Sequence, residues 1–111
     1  MAYGLTVPIE LCAEGEANAL VAQAVMRALP QWFELEEGLV DLVEAARKSP
    51  TFIATVDGGD VGFLTLKPQT PYAAEIIAMG VLPNWHRQGI GRALVEEACR
   101  SAWNQGMRLC R

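Results

Sequence analysis

Apolar positions along the chain change period near its middle, and the change separates two kinds of element. In EANALVAQAVMRAL, residues 16 to 29, the residues Leu20, Val21, Ala24, Val25 and Leu29 recur at helical spacing, and Pro30 ends the run. A second helix is predicted over about 36 to 48, with Leu39, Leu42 and Val43 on one face, Lys48 in its last turn and Pro50 beyond. TFIATV and VGFLTL are then rich in β-branched and aromatic residues, and DGGD between them reads as a hairpin turn. PQTP marks the next turn. AEIIAMGV, residues 74 to 81, is a nearly continuous apolar run, as in a strand buried on both faces. Residues 90 to 104, IGRALVEEACRSAWN, predict a third helix with Ile90, Leu94, Val95, Ala98 and Ala102 inward, and Gly106 placed for a C-terminal cap.

Two flanking segments complete the order. LTVPIELC, residues 5 to 12, reads as a first strand, and Pro8 argues for an edge position because it cannot donate to a ladder. MRLCR reads as the opening of a last strand. The order strand, helix, helix, hairpin, strand, helix, strand implies a mixed β-sheet flanked by helices, of class α/β (α+β). The last strand–helix–strand unit should place its strands parallel through a right-handed crossover. At 111 residues, with no repeat, linker or low-complexity tract, the chain reads as a single domain over 1–111 with one modest core.

Composition narrows the partners. A net charge of -4 offers nucleic acid no general attraction and leaves a small basic group welcome. The longest apolar-rich run, ANALVAQAVMRAL, is too short to span a bilayer and contains Gln23 and Arg27. The start, MAYGLTVPIELC, lacks a basic leader region. Cys12, Cys99 and Cys110 have no metal-ligand spacing, so no metal is expected, and an odd count without a CxxC pair suits free thiols in the cytoplasm. Cys99 and Cys110 read as small core residues, and Met26, Met79 and Met107 as packing residues.

The chemistry concentrates in HRQGIGRAL, residues 86 to 94, where glycines stand at the start of a helix. The first turn of a helix leaves backbone N–H groups without partners, and the macrodipole makes that end electropositive. Glycine lets an anion approach those groups closely. A strand, a glycine loop and a helix therefore describe an anion site, most often for phosphate. A Walker loop would require GxxxxGK[ST], which is missing. A dinucleotide fingerprint would require GxGxxG directly after a strand, and Leu94 occupies the third glycine position.

AEIIAMGVLPNWHRQGIGRAL resembles the central motif of the GNAT superfamily of acyl-CoA-dependent N-acyltransferases: a strand, V-x-P, then [QR]-x-x-G-x-[GA] and a helix. The matching residues are Val81-Leu82-Pro83 and His86-Arg87-Gln88-Gly89-Ile90-Gly91, with His86 in the usual Gln or Arg slot. The element order matches from about residue 5 onward. The resemblance implies that acetyl-CoA serves as cosubstrate, its pyrophosphate resting on the backbone of residues 87 to 92. Pantetheine would pair like an added strand with Met79, Gly80 and Val81. The thioester would lie where this strand splays from the next, and an acceptor amine would attack it directly. A homodimer or higher assembly is also expected, because family members continue past the fifth strand with a helix and two strands that would cover an open edge. By the same resemblance the domain is C-terminally incomplete, and a non-catalytic CoA-binding remnant that self-associates is the alternative to an active N-acetyltransferase.

Particular residues carry these expectations. Glu75 is the candidate general base; on strict alternation it shares a face with Ile77, Met79 and Val81, whose apolar surroundings would favour proton uptake. The alternative places Glu75 at the solvated start of its strand. His86, Arg87 and Arg92 can each contact phosphate, or remain solvated loop and helix-start groups. Trp32 and Phe33, with Glu34, Glu36 and Glu37, border the acceptor pocket by the resemblance, or cap the core and favour the second helix. The acceptor itself has no signature in the sequence.

Overall fold

The computed structural model describes residues 9–12, 15–29, 36–106 and 108–110. The elements are β1 (Ile9–Cys12), α1 (Glu16–Arg27), α2 (Glu36–Lys48), β2 (Thr51–Val56), β3 (Gly59–Thr70), β4 (Ala73–Val81), a 3₁₀ turn (Pro83–Trp85), α3 (Ile90–Asn104) and β5 (Arg108–Cys110). They form one five-stranded sheet in the order β1-β2-β3-β4-β5. The first three pairings are antiparallel, and β4 pairs with β5 in parallel, as the crossover through α3 requires. β1 lies at the edge of the sheet. Pro8, Pro30, Met107 and the Trp32–Phe33–Glu34 segment lie outside the described residues.

Helices cover both faces. On one side Phe52, Ala54, Leu64, Leu66 and Ala74 pack against Ile90, Leu94, Ala98 and Ala102 of α3. On the other, Ile53, Phe63 and Ala78 pack against Ala22, Val25 and Met26 of α1, with Leu39 and Ala46 of α2. α3 thus buries the stripe its periodicity predicts, with Val95 half-buried beside it. Cys99 points outward instead of into the core, because the inward line runs through Ala98 and Ala102.

The buried stripe of α1 is rotated from the sequence reading. Leu20 is 58% exposed and Ala24 is exposed, whereas Asn18, Ala19, Ala22 and Met26 are buried. Small residues face the sheet and allow a close approach, and the Asn18 side-chain amide donates to the Ser49 carbonyl at 3.3 Å. Gly80 is the sheet's side of that contact. A Cβ there would stand 3.1 Å from Val25 Cγ1 and 3.2 Å from Phe63 Cε1.

The hairpin between β2 and β3 turns at Asp57 and Gly58, which adopt φ of 52° and 81°. Two successive left-handed residues match the right-handed twist of paired strands. PQTP contributes only its last residue, Pro71, to the next turn. β3 runs through Lys67, Pro68 and Gln69 to Thr70, and the chain reverses at Pro71 and Tyr72. Pro68 is tolerated because β2 pairs with β3 only as far as Thr65, which leaves this part of β3 open on one side.

β4 departs from the continuous burial expected of it. Ala74, Ala78 and Gly80 are buried, but Met79 is 41% exposed. β5 pairs only with Ala73, Ala74 and Glu75. From Ile76 to Val81 the outer edge of β4 has no strand beside it among the described residues. That open edge lies next to the glycine loop.

Candidate functional site

The end of β4, the loop after it and the start of α3 meet at one place. The Leu82 N–H donates to the Val61 carbonyl at 2.8 Å and so keeps the strand paired to its last residue. Pro83 then opens a 3₁₀ turn, and Trp85 packs half-buried against the α3 side of the core. His86 returns to extended backbone. Arg87 (φ 65°) and Gly89 (φ 81°) are left-handed, and the helix begins at Ile90. Ile90, 1% exposed, and Leu94, fully buried, anchor the first turn of the helix to the sheet.

The helix start is left open to an outside partner. Gly89 at the N-cap supplies no side-chain bond, and no acidic residue occupies the first turn. The first intrahelical bond at this end is Ala93 N–H to the Gly89 carbonyl, 2.9 Å. The earlier N–H groups have no helical acceptor. A Cβ added at Gly89 would meet nothing within 4 Å, and one at Gly91 would reach only Val81 Cγ2, at 4.0 Å. The glycines therefore open space in front of the backbone rather than avoiding a neighbour.

That space belongs to a cavity of about 570 Å³. Met79, Gly80 and Val81 form its strand side, and His86, Arg87, Gly89, Ile90, Gly91 and Arg92 its loop and helix side. Among the described residues, every ionisable one on its lining is basic, so their field favours anions. Arg92 also reaches Glu96 at 3.3 Å, one turn along the exposed face of α3. The His86 Nε2 lies 2.7 Å from the Val81 carbonyl oxygen. Of the residues proposed from sequence to bind the cosubstrate, Met79, Gly80, Val81 and residues 86 to 92, Gln88 alone is not on its lining. Leu29, at the end of α1, and Trp85 also line it. The sequence marks Leu29 only by its helical spacing, and nothing in that spacing distinguishes a core leucine from one that closes a cavity.

Glu75 lies apart from this cavity, about 13 Å from Met79 along β4 at 3.3 Å per residue. It also faces the other way. The register passes from Thr65↔Ala78 to Leu66↔Ile76, so Ile77 is an extra residue, a β-bulge. Glu75, Ala78 and Gly80 therefore share the α1–α2 face, whereas Ile76, Met79 and Val81 share the α3 face. The expected common face of Glu75, Met79 and Val81 is corrected by that bulge. Glu75 accepts a hydrogen bond from Gln69 Nε2 at 2.7 Å and stands where β5 stops pairing with β4.

A sequence-family model, the acetyltransferase (GNAT) domain, matches residues 47–111, which include the strand, loop and helix start of this site. The chain belongs to the GNAT acetyltransferase family. Solved structures agree on the fold. A ribosomal-protein-alanine N-acetyltransferase from Brucella melitensis superposes with a TM-score of 0.68 at 19% identity, covering 96% of this chain and 80% of that one. An IAA acetyltransferase from Bacillus cereus gives 0.66 at 20% identity, covering 94% of this chain and 65% of that one. N-acetylglutamate synthase from Neisseria gonorrhoeae, solved with coenzyme A and N-acetylglutamate, gives 0.64 at 18% identity, covering 93% of this chain and 24% of that one. A search of curated proteins finds no match. The GNAT assignment thus rests on the family model, and the fold on both kinds of comparison.

Among the described residues no three His, Cys, Asp or Glu side chains converge in the way a metal centre requires. No helix of the described residues is long and apolar enough to cross a membrane.

Proposed function

We propose that this GNAT domain transfers an acetyl group from acetyl-CoA to a primary amine. The observation that carries the reading is the uncapped start of α3. Its first-turn N–H groups and two glycines face a cavity lined by His86, Arg87 and Arg92 and, among the described residues, by no acid. A diphosphate fits that donor set, because it brings the negative charge and acceptor oxygens that the helix end and the arginines lack. The open edge of β4 beside it suits the amides of a pantetheine arm, which would add to the sheet like a strand.

The chain's own residues then have distinct tasks. The α3 start and the arginines hold the phosphates, and Met79, Gly80 and Val81 orient the arm, which makes the reaction effectively unimolecular. Glu75, where β4 and β5 part, takes the proton from the attacking amine. The C–N bond forms as the C–S bond breaks, and the thiolate leaves with a proton from solvent. The proton transfer is the step a positioned carboxylate accelerates.

A second reading is a CoA-binding module without turnover that pairs with a second copy. The edge from Ile76 to Val81, which no strand covers among the described residues, favours it, because open edges recruit strands. Thiol release across a panel of amines separates the two readings. Release supports the transferase, and binding of acetyl-CoA with no release from any amine supports the module.

A further inference from the structure

We infer that His86 is a positioning residue that sets how a substrate arm registers along β4. The inference rests on the acetyl-CoA reading above. The Leu82 N–H points towards β3, where it meets the Val61 carbonyl. Backbone groups alternate along a strand, so Met79 and Val81 turn their N–H and C=O groups away from β3, towards the open edge. These are the groups that an added strand would use.

One of them is already engaged. The Val81 carbonyl accepts a hydrogen bond from His86 Nε2 at 2.7 Å. A carbonyl can only accept, so Nε2 carries the hydrogen, and in the neutral ring Nδ1 is bare. The ring is held in place from behind, because the His86 N–H donates to the Pro83 carbonyl at 3.3 Å and closes the 3₁₀ turn. An arm amide N–H directed at Val81 must therefore displace the imidazole or share its acceptor. Among the described residues no strand opposes Met79 N–H, Met79 C=O and Val81 N–H. The arm's best pairing is thereby drawn back to Met79. That choice fixes how far its reactive end extends along β4 towards the bulge at Ile77 and towards Glu75.

Glutamine can make the same donation and alanine cannot, which supplies the test. Calorimetric Kd values would be measured for CoA and for 3′-phosphoadenosine 5′-diphosphate, which keeps the phosphates and lacks the arm. The ratio of the two reports the arm alone. His86→Gln should keep the wild-type ratio. His86→Ala should raise the arm's contribution roughly 2- to 12-fold, the worth of one hydrogen bond. If both ligands weaken together in His86→Ala and the ratio stays fixed, His86 serves only the loop and the inference fails. Wild-type protein that binds neither ligand overturns the acetyl-CoA reading as well, so the two failures are distinguishable. His86 is the single histidine, so its ring ¹⁵N signals stand alone. They should show a hydrogen-bonded Nε2–H tautomer with and without CoA, and loss of that signature on binding would also refute the assignment.

Discussion

Glu75 and Val81 lie an even number of positions apart on β4, yet they face opposite sides of the sheet. The bulge at Ile77 reverses the alternation between them. The carboxylate is thus presented on the α1–α2 side while the valine faces α3. A base on one face can serve an arm bound along the strand edge, because an edge is reachable from both faces.

The corresponding prediction concerns Glu75→Gln. The substitution keeps the shape and the proximity to Gln69 but removes the proton acceptor. Steady-state thiol release should show kcat lower by about a hundredfold or more, the usual worth of a general base. KM for acetyl-CoA should change little, since Glu75 lies about 13 Å along the strand from Met79. Wild-type kcat in this variant would remove Glu75 from the mechanism.

A buried hydroxyl pair gives a second, structural prediction. Thr51 Oγ1 and Thr65 Oγ1 are 3.1 Å apart, and Thr51 Oγ1 also lies 3.2 Å from the Ser49 carbonyl oxygen. Each hydroxyl has one hydrogen, so the consistent arrangement has Thr65 donating to Thr51 and Thr51 donating to Ser49. Thr51→Val would strand the Thr65 hydrogen in the core, at about 1–3 kcal/mol. Thr65→Val removes a donor and leaves no hydrogen unpaired, so it should cost less. Urea unfolding of both variants checks the order, and equal losses would contradict the assigned direction.

A third concerns the junction of α1 and α2. Arg47 Nε donates to Glu16 Oε1 at 3.0 Å, and Arg47 also contacts Glu44. The hydrogen bond to Glu16 is the largest cause of a raised Arg47 pKa. A raised folded pKa means that the guanidinium's contribution is complete below the unfolded value and is lost only as pH rises through the folded one. Both lie above the working range, so salt, not pH, exposes the interaction. Arg47→Met should lower Tm slightly in low salt, and the gap should close near 1 M salt, where the screening length is about 3 Å. The Gly15 N–H bond to the Arg47 carbonyl, 2.9 Å, is backbone and should survive the substitution. A gap that persists at high salt would assign the effect to packing of the arginine stem.

The sequence was most informative where one local rule decides the outcome. The α3 stripe, the α2 limits and the Asp57–Gly58 turn each follow from spacing or from a required backbone angle. The glycine loop was legible for the same reason, since Gly89 and Gly91 mark a place where backbone must be bare. What escaped depends on partners distant in sequence. The bulge at Ile77 exists only in the pairing of β4 with β3, and it overrides the alternation that would have grouped Glu75 with Val81. The rotation of α1 reflects the tight seat at Gly80 and the Asn18–Ser49 bond, neither visible in the helix's own pattern. The His86–Val81 bond needs the 3₁₀ turn to bring the ring back to the strand.

The two glycines of the loop should respond differently to substitution, and the difference isolates ligand binding from folding. Gly89 has φ 81°, which a branched residue resists, so Gly89→Val should itself destabilise the domain. Gly91 is helical, and its nearest Cβ neighbour would be Val81 Cγ2 at an ordinary 4.0 Å. Gly91→Val should therefore fold with a Tm close to wild type, at the modest cost of a β-branched residue in a helix. Its side chain would nevertheless stand in the cavity in front of the first-turn N–H groups. Acetyl-CoA at about a hundred times its Kd should stabilise the wild type by about 2.7 kcal/mol. In a domain of this size that is a rise in Tm on the order of ten degrees or more. Thermal unfolding with and without acetyl-CoA should show that rise in the wild type and little or none in Gly91→Val. A full shift in the variant would mean that acetyl-CoA binds without approaching the start of α3, and the anion role assigned to that helix end would have to be withdrawn.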